Sequence, residues 1–221
     1  MSDAPASPTS NTEKPEFLGP DERAVVVETA SSTPLRDLAS FERDFELAAG
    51  YLRHYLSGDI EGDRTFASPL DALWTAAVVI YARAFSKGVR ATNGPSIDRL
   101  SSADRELHDY VIDVRNKYLA HSVNGFEHTD VVAFLVDSPK HPKALSGIGT
   151  IHTALSRMER SSCERFLSLC ESHLVELQTR SNALRNALAA EVIAAGAANA
   201  YALPDHARPN IDQRESRSRR K

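Results

Sequence analysis

Apolar residues recur at three- and four-residue steps along four stretches of the chain, and one short β-branched cluster stands between the third and the fourth. The first stripe is Leu35, Leu38, Phe41, Phe45, Ala48, Leu52 and Leu56. That spacing predicts an amphipathic helix from Pro34 to about Leu56, with Thr33 as N-cap and Pro34 at the first helical position. Arg36, Glu42, Arg43 and Asp44 fall off the stripe, and Ser57-Gly58-Asp59 ends the helix. A second helix opens at Ser68-Pro69-Leu70-Asp71, a capping box with Asp in the place usually held by Glu or Gln. It runs to Ser86 and is apolar nearly all round, the mark of a helix central to a bundle. Arg83 and Lys87 stand at its end, where the helix dipole favours cations. Ser101 or Ser102 caps the third helix. Its core stripe is Leu107, Tyr110, Val111, Val114 and Tyr118, and Asn124-Gly125 breaks it.

The period then changes. Asp130 to Asp137 is short, β-branched and bounded by polar residues, so it reads as a strand. Ser138 to Lys143, with Pro139 and Pro142, is a turn, and Gly147-Ile148-Gly149-Thr150-Ile151 is the core of a second strand. Two strands alone are marginal in water, so this hairpin must lean on the bundle or on a partner. A last helix is expected from about Ser156 or Ser161 to about Ala195. Phe166, Leu167, Cys170, His173, Leu174, Leu177, Leu184, Leu188 and Val192 keep its helical spacing. It either breaks near Thr179 to Asn182 or extends past the bundle. The expected fold is mainly all-α: an up-and-down bundle of four to five helices with a small β-hairpin inserted before the last long helix. Residues 1–22, with Pro5, Pro8, Pro15 and Pro20, read as a disordered tail. Residues 23–200 form the helical domain, with the hairpin at about 130–155. Residues 201–221, ending Arg217-Ser218-Arg219-Arg220-Lys221, read as a basic disordered tail.

Composition narrows the function. Net charge is -4, so nucleic-acid contact must come from a local patch rather than from bulk charge. Cys163 and Cys170 are seven residues apart, roughly 10 Å along one helix. A disulfide needs Cα atoms within about 7 Å, so the two read as buried thiols of a reducing compartment. The first twenty residues lack a signal peptide's basic start and apolar run. The most apolar stretch, Ala72 to Ala84, is too short to span a bilayer. A cytoplasmic protein without a membrane partner is expected. Neither His-Glu-x-x-His, Cys-x-x-Cys nor a clustered acidic set occurs, so no metal or other cofactor is expected.

The end of the third helix carries Arg115-Asn116-Lys117-Tyr118-Leu119-Ala120-His121. This resembles the Arg-x(4 to 6)-His signature of the HEPN superfamily, where a polar residue such as Asn116 is favoured after the arginine. The motif at the end of a central helix, followed by a short β insertion and a long helix, looks most like the abortive-infection branch. The resemblance covers about residues 34 to 195. It implies a metal-independent endoribonuclease of a phage-defence or toxin–antitoxin system, with two protomers docked so that both motifs line one cleft. RNA, a second copy of the chain, and an antitoxin or other defence component are the implied partners.

In that reading His121 is general base or acid for attack by an RNA 2′-hydroxyl. Arg115 holds the scissile phosphate through its planar fork of donors, and Asn116 orients the phosphate or His121. Lys117, Tyr118 and Ser122 are RNA-contacting candidates, although Tyr118 also falls on the core stripe. His108, two turns before Arg115, reads as a solvated surface residue. On a regular helix six residues leave Arg115 and His121 about 120° apart. The site therefore needs the helix to end near Ala120 or needs residues from two chains. The alternatives are a non-catalytic module of the same fold that binds RNA or protein, and an unrelated four-helix interaction protein whose contact is the basic tail.

Overall fold

The computed structural model describes residues 21–62, 68–86, 93–119, 127–154 and 157–206. Among these, the helices are α1 (Ser32–Ser57), α2 (Pro69–Ala84), α3 (Ser102–Asp113), α4 (Arg160–Ala195) and α5 (Ala197–Tyr201). A π-helical segment, Val114–Leu119, continues α3. Strands β1 (Glu127–Leu135) and β2 (Leu145–Ala154) lie between it and α4. The fold is a mainly helical bundle with a β-hairpin before the long helix. The chain divides into two compact units, one from Arg36 to Asn182 and one from the two chain ends.

The larger unit is built around aromatic side chains. Leu38, Phe41, Phe45, Ala48, Leu52 and Tyr55 of α1 are buried, and so are Trp74, Ala77, Val78 and Tyr81 of α2. Leu107, Val111 and Val114 close the core from α3 and its continuation, and Cys163, Phe166, Leu169, Cys170 and Leu177 close it from α4. The α1 stripe is wider than its apolar positions suggest, because Asp44, 2% exposed, and Glu42 are buried as well. Arg83 accounts for Asp44: its guanidinium forms an ion pair with the carboxylate, with Nε 3.2 Å from Oδ2. Arg83 thus ties α2 to α1 and does more than complement a helix dipole. A carboxylate at such depth requires an opposite charge, since its desolvation is otherwise uncompensated.

The capping box forms as expected. Leu70 N donates to Ser68 Oγ at 3.1 Å, and Ser68 N donates to Asp71 Oδ2 at 2.9 Å. The other Asp71 oxygen accepts from Arg157 Nε at 2.8 Å, so one carboxylate both starts α2 and fixes the exit from the hairpin. Met158 beside it accepts a 2.6 Å bond from Tyr55 Oη, whose pKa burial pushes up to about 12. The α-helix at α2 ends at Ala84, two residues before the expected Ser86.

The hairpin is antiparallel, with Val132 opposite Gly149 and Phe134 opposite Gly147. A bulge at Ser146 brings Leu135 opposite Leu145. A Cβ on Gly149 would stand 2.8 Å from the Phe134 ring, so the ring covers that glycine and only hydrogen fits beneath it. Helix α4 runs unbroken through Thr179 to Asn182. Its buried positions stop at Ser181, one residue before the larger unit ends at Asn182.

In the smaller unit the chain ends meet. Val25 bridges Asp205 in antiparallel fashion, and Arg23 Nε lies 3.3 Å from the Asp205 carboxylate. The short α5 ends at Tyr201, and residues 202–206, expected to be tail, hold this bridge. They have backbone partners in Ala24 and Val26 that reading the C-terminus alone cannot reveal. Among the described residues no helix is long and apolar enough to cross a membrane.

Phe45 is fully buried against the rings of Tyr81, Phe85 and His173. Phe45→Ala is expected to cost about 3–5 kcal/mol in urea unfolding. Val175→Ala, on an exposed face of α4, should change stability by no more than about 0.5 kcal/mol.

Candidate functional site

Helix α3 begins where Ser101 Oγ accepts from Asp104 N at 3.1 Å, settling the choice between Ser101 and Ser102 as cap. Leu107 and Val111 bury one face. His108 is also buried, contrary to the surface position expected for it. Tyr81 explains the difference: its hydroxyl lies 2.9 Å from His108 Nδ1 and 3.5 Å from His173 Nε2. The hydroxyl has one proton, so it donates to one ring and accepts an N–H from the other. The two histidines must therefore present opposite nitrogens, one bare and one protonated.

Aromatic rings surround this polar knot. Phe45 stacks on His173 with centroids 5.0 Å apart, Phe85 meets the His108 ring edge-on at 4.4 Å, and Phe166 meets Tyr81 edge-on at 5.0 Å. Apolar surroundings disfavour charge on every member. Burial pulls the His173 pKa down to about 4, lowers that of His108, and raises that of Tyr81. Two sequence signals pointed here. A tyrosine in a helix apolar all round must find a polar partner for its hydroxyl. His108 also follows Leu107 and stands three residues before Val111, both on the buried stripe.

One turn beyond, the α-helical ladder gives way at Val114, which is fully buried. The following turn is π-helical. Wider i→i+5 turns of this kind are rare and concentrate at functional sites. Arg115 and Asn116 lie within it. Arg115 Nη1 donates to Asn116 Oδ1 at 2.9 Å, which uses one of the five guanidinium donors. Arg115 is half-buried and Asn116 is exposed. Lys117 is exposed and its Nζ lies 2.7 Å from Asp113 Oδ2, an i,i+4 surface pair of the kind worth about 0.3–0.5 kcal/mol. A competing phosphate can displace a pair of that strength. Tyr118 contributes its backbone to the π-helical segment. Its side chain, His121 and Ser122 lie outside the described residues. The 120° separation deduced for a regular helix does not apply from Val114 onward.

Two clefts lie elsewhere on the fold, and neither is lined by a residue of the π-helical turn. One of about 490 Å³ is lined by Glu106, Tyr110, Arg157, Glu159 and Arg165, a balanced set of two acids and two bases with no preference for a polyanion. Another, of about 550 Å³, includes Arg99, His173, Glu176 and Arg180. There Arg180 is committed to the backbone, with Nη1 and Nη2 each 3.1 Å from the carbonyls of Gly94 and Asn93 respectively. The cysteines are buried and unpaired, and burial pushes Cys163 up to about 12 and Cys170 higher still. Neither is a nucleophile at neutral pH. No family model, curated protein or solved structure matches the chain.

The buried histidines make stability depend on acidity. An unfolded histidine takes up its proton near pH 6.5, whereas folded His173 does so only near pH 4. Between these values the unfolded state holds more protons. Stability is therefore complete above about pH 6.5 and falls as pH drops toward 4, by about 3 kcal/mol from His173. Urea midpoints measured from pH 8 to pH 4 should show this fall. His173→Phe should flatten it.

Proposed function

We propose that the protein is a metal-independent endoribonuclease of HEPN type, acting as a dimer in the cytoplasm within a defence or toxin–antitoxin system. The observation that carries this reading is the hydrogen-bonded Arg115–Asn116 pair on a π-helical turn, directly beyond a helix anchored in the core. A guanidinium presented from such an anchored turn suits a phosphodiester, whose two non-bridging oxygens match its forked donors.

The chemistry assigned to the motif is transfer to the 2′-hydroxyl. His121 accepts the 2′-hydroxyl proton as that oxygen attacks phosphorus, and an imidazolium, from the same or the second copy, protonates the departing 5′-oxygen. Arg115 stabilises the charge gathering on the phosphoryl oxygens. It cannot serve as a base, because a guanidinium keeps its proton at neutral pH. Asn116 orients Arg115 through their mutual bond. Lys117, Tyr118 and Ser122 extend the RNA contact, with Lys117 exchanging Asp113 for phosphate.

Purified protein incubated with end-labelled RNA tests this directly. Cleavage should persist in chelator and leave 2′,3′-cyclic phosphate and 5′-hydroxyl ends. His121→Ala should slow it by about 10²- to 10⁴-fold, and Arg115→Ala should slow it as well. Cleavage undiminished in His121→Ala, or abolished by chelator, contradicts the mechanism. Binding of RNA without cleavage by the wild type would assign the fold to a non-catalytic RNA-binding module instead.

A further inference from the structure

The hairpin is an exposed element that the proposed site leaves unused. β2 is paired along one side by β1, and among the described residues no third strand joins the sheet. Val131, Leu135 and Ile148 are 76%, 68% and 65% exposed, and alternation along the paired strands places them on one face. Phe134 and Ile151, each 49% exposed, lie on the other. Two strands are marginal in water, whereas three or more with an apolar face are not.

The two edges differ in charge. β1 includes Glu127 and Asp130, but Leu145 to Ala154 contains no Asp, Glu, Lys, Arg or Pro. Sheets ordinarily guard a free edge with such residues. The bulge at Ser146 guards only the turn end of β2 and leaves Gly147 to Ala154 regular.

We propose that the outer edge of β2 docks against β2 of a second copy of this chain, so that two hairpins join antiparallel into one four-stranded sheet. Charge selects this occupant. A two-fold axis perpendicular to the sheet brings the turn of each hairpin, with Lys140 and Lys143, to the end where the other copy's β1 starts with Glu127 and Asp130. Asp137 is the one acid near that turn, and Asp130 bonds His128 at 2.9 Å within its own strand. At the centre, neutral strand meets neutral strand. Pairing through β1 would instead gather the acidic Glu127 and Asp130 of both copies along one seam, where like charges repel. The same axis keeps Val131, Leu135 and Ile148 of both copies on one face, so the apolar surface is continuous across the seam. Self-complementarity of this kind is what an isologous dimer requires. The inference deepens the ribonuclease reading by naming a surface through which its two copies meet, and it rests on that reading only for this functional link.

Sedimentation of the full-length protein at micromolar concentration, without RNA, is the test. The wild type should be dimeric, with backbone amides of β2 gaining hydrogen-exchange protection as concentration rises. Ile148→Lys and Thr150→Lys should each weaken the dimer roughly tenfold or more, with helical circular dichroism unchanged. A monomeric wild type overturns the proposal, as does β2 protection that is independent of concentration. A dimer that persists in both lysine variants does so too. A dimer lost in the lysine variants, from a wild type that cuts no RNA, would support the sheet while sinking the ribonuclease reading.

Discussion

A single hydroxyl group, that of Tyr81, meets ring nitrogens of two buried histidines in the middle of an otherwise hydrocarbon and aromatic core. It joins α2 to α3 through His108 and α2 to α4 through His173. Neither imidazole can leave the contact cheaply, because a buried ring nitrogen without a partner loses about 1–3 kcal/mol. Charge on either ring is disfavoured in place, since burial among Phe45, Phe85 and Phe166 strips it of water. Hydrophobic packing alone would tolerate small sliding of α3 along its neighbours. A hydrogen bond of 2.9 Å does not, so the knot fixes both the depth and the rotation of α3.

The rest of the site inherits that placement. Val114, six residues after His108, is still fully buried, and Arg115 and Asn116 follow it on the π-helical turn. Arg115 and Asn116 thus stand where the chain leaves the α-helix that this contact holds. Preorganisation of this kind lets an arginine act on a phosphate without reorganising first. After the hairpin, Asp71 and Tyr55 hold Arg157 and Met158, so the chain returns from it to fixed points. The hairpin can then project its neutral edge without disturbing the core.

Most of the helical framework was legible from residue spacing. The α1 and α4 stripes, the Ser68 capping box and the strands flanking Pro139 and Pro142, the first of them β-branched, each rest on local rules, and each formed close to its expected bounds. What escaped were partnerships across the sequence. Asp44 lies off an apolar stripe when read alone, and its burial is compensated by Arg83, 39 residues later, which pairs with it. His108 reads as surface until Tyr81 supplies a hydroxyl for it. Residues 204–206 read as tail until Ala24 to Val26 supply a strand partner. The change from α to π at Val114 also has no signature in the spacing, because the apolar stripe through Tyr118 fits a regular helix equally well.

The most direct test of this dependence is Tyr81→Phe, which deletes one oxygen and keeps the ring, followed by urea unfolding and amide hydrogen exchange. The expected loss is about 2–4 kcal/mol, from two ring nitrogens deprived of their partner. The largest drop in protection should fall on α3 and the π-helical turn that follows it. A Tyr81→Phe protein as stable as the wild type, with α3 protected as before, would contradict this dependence.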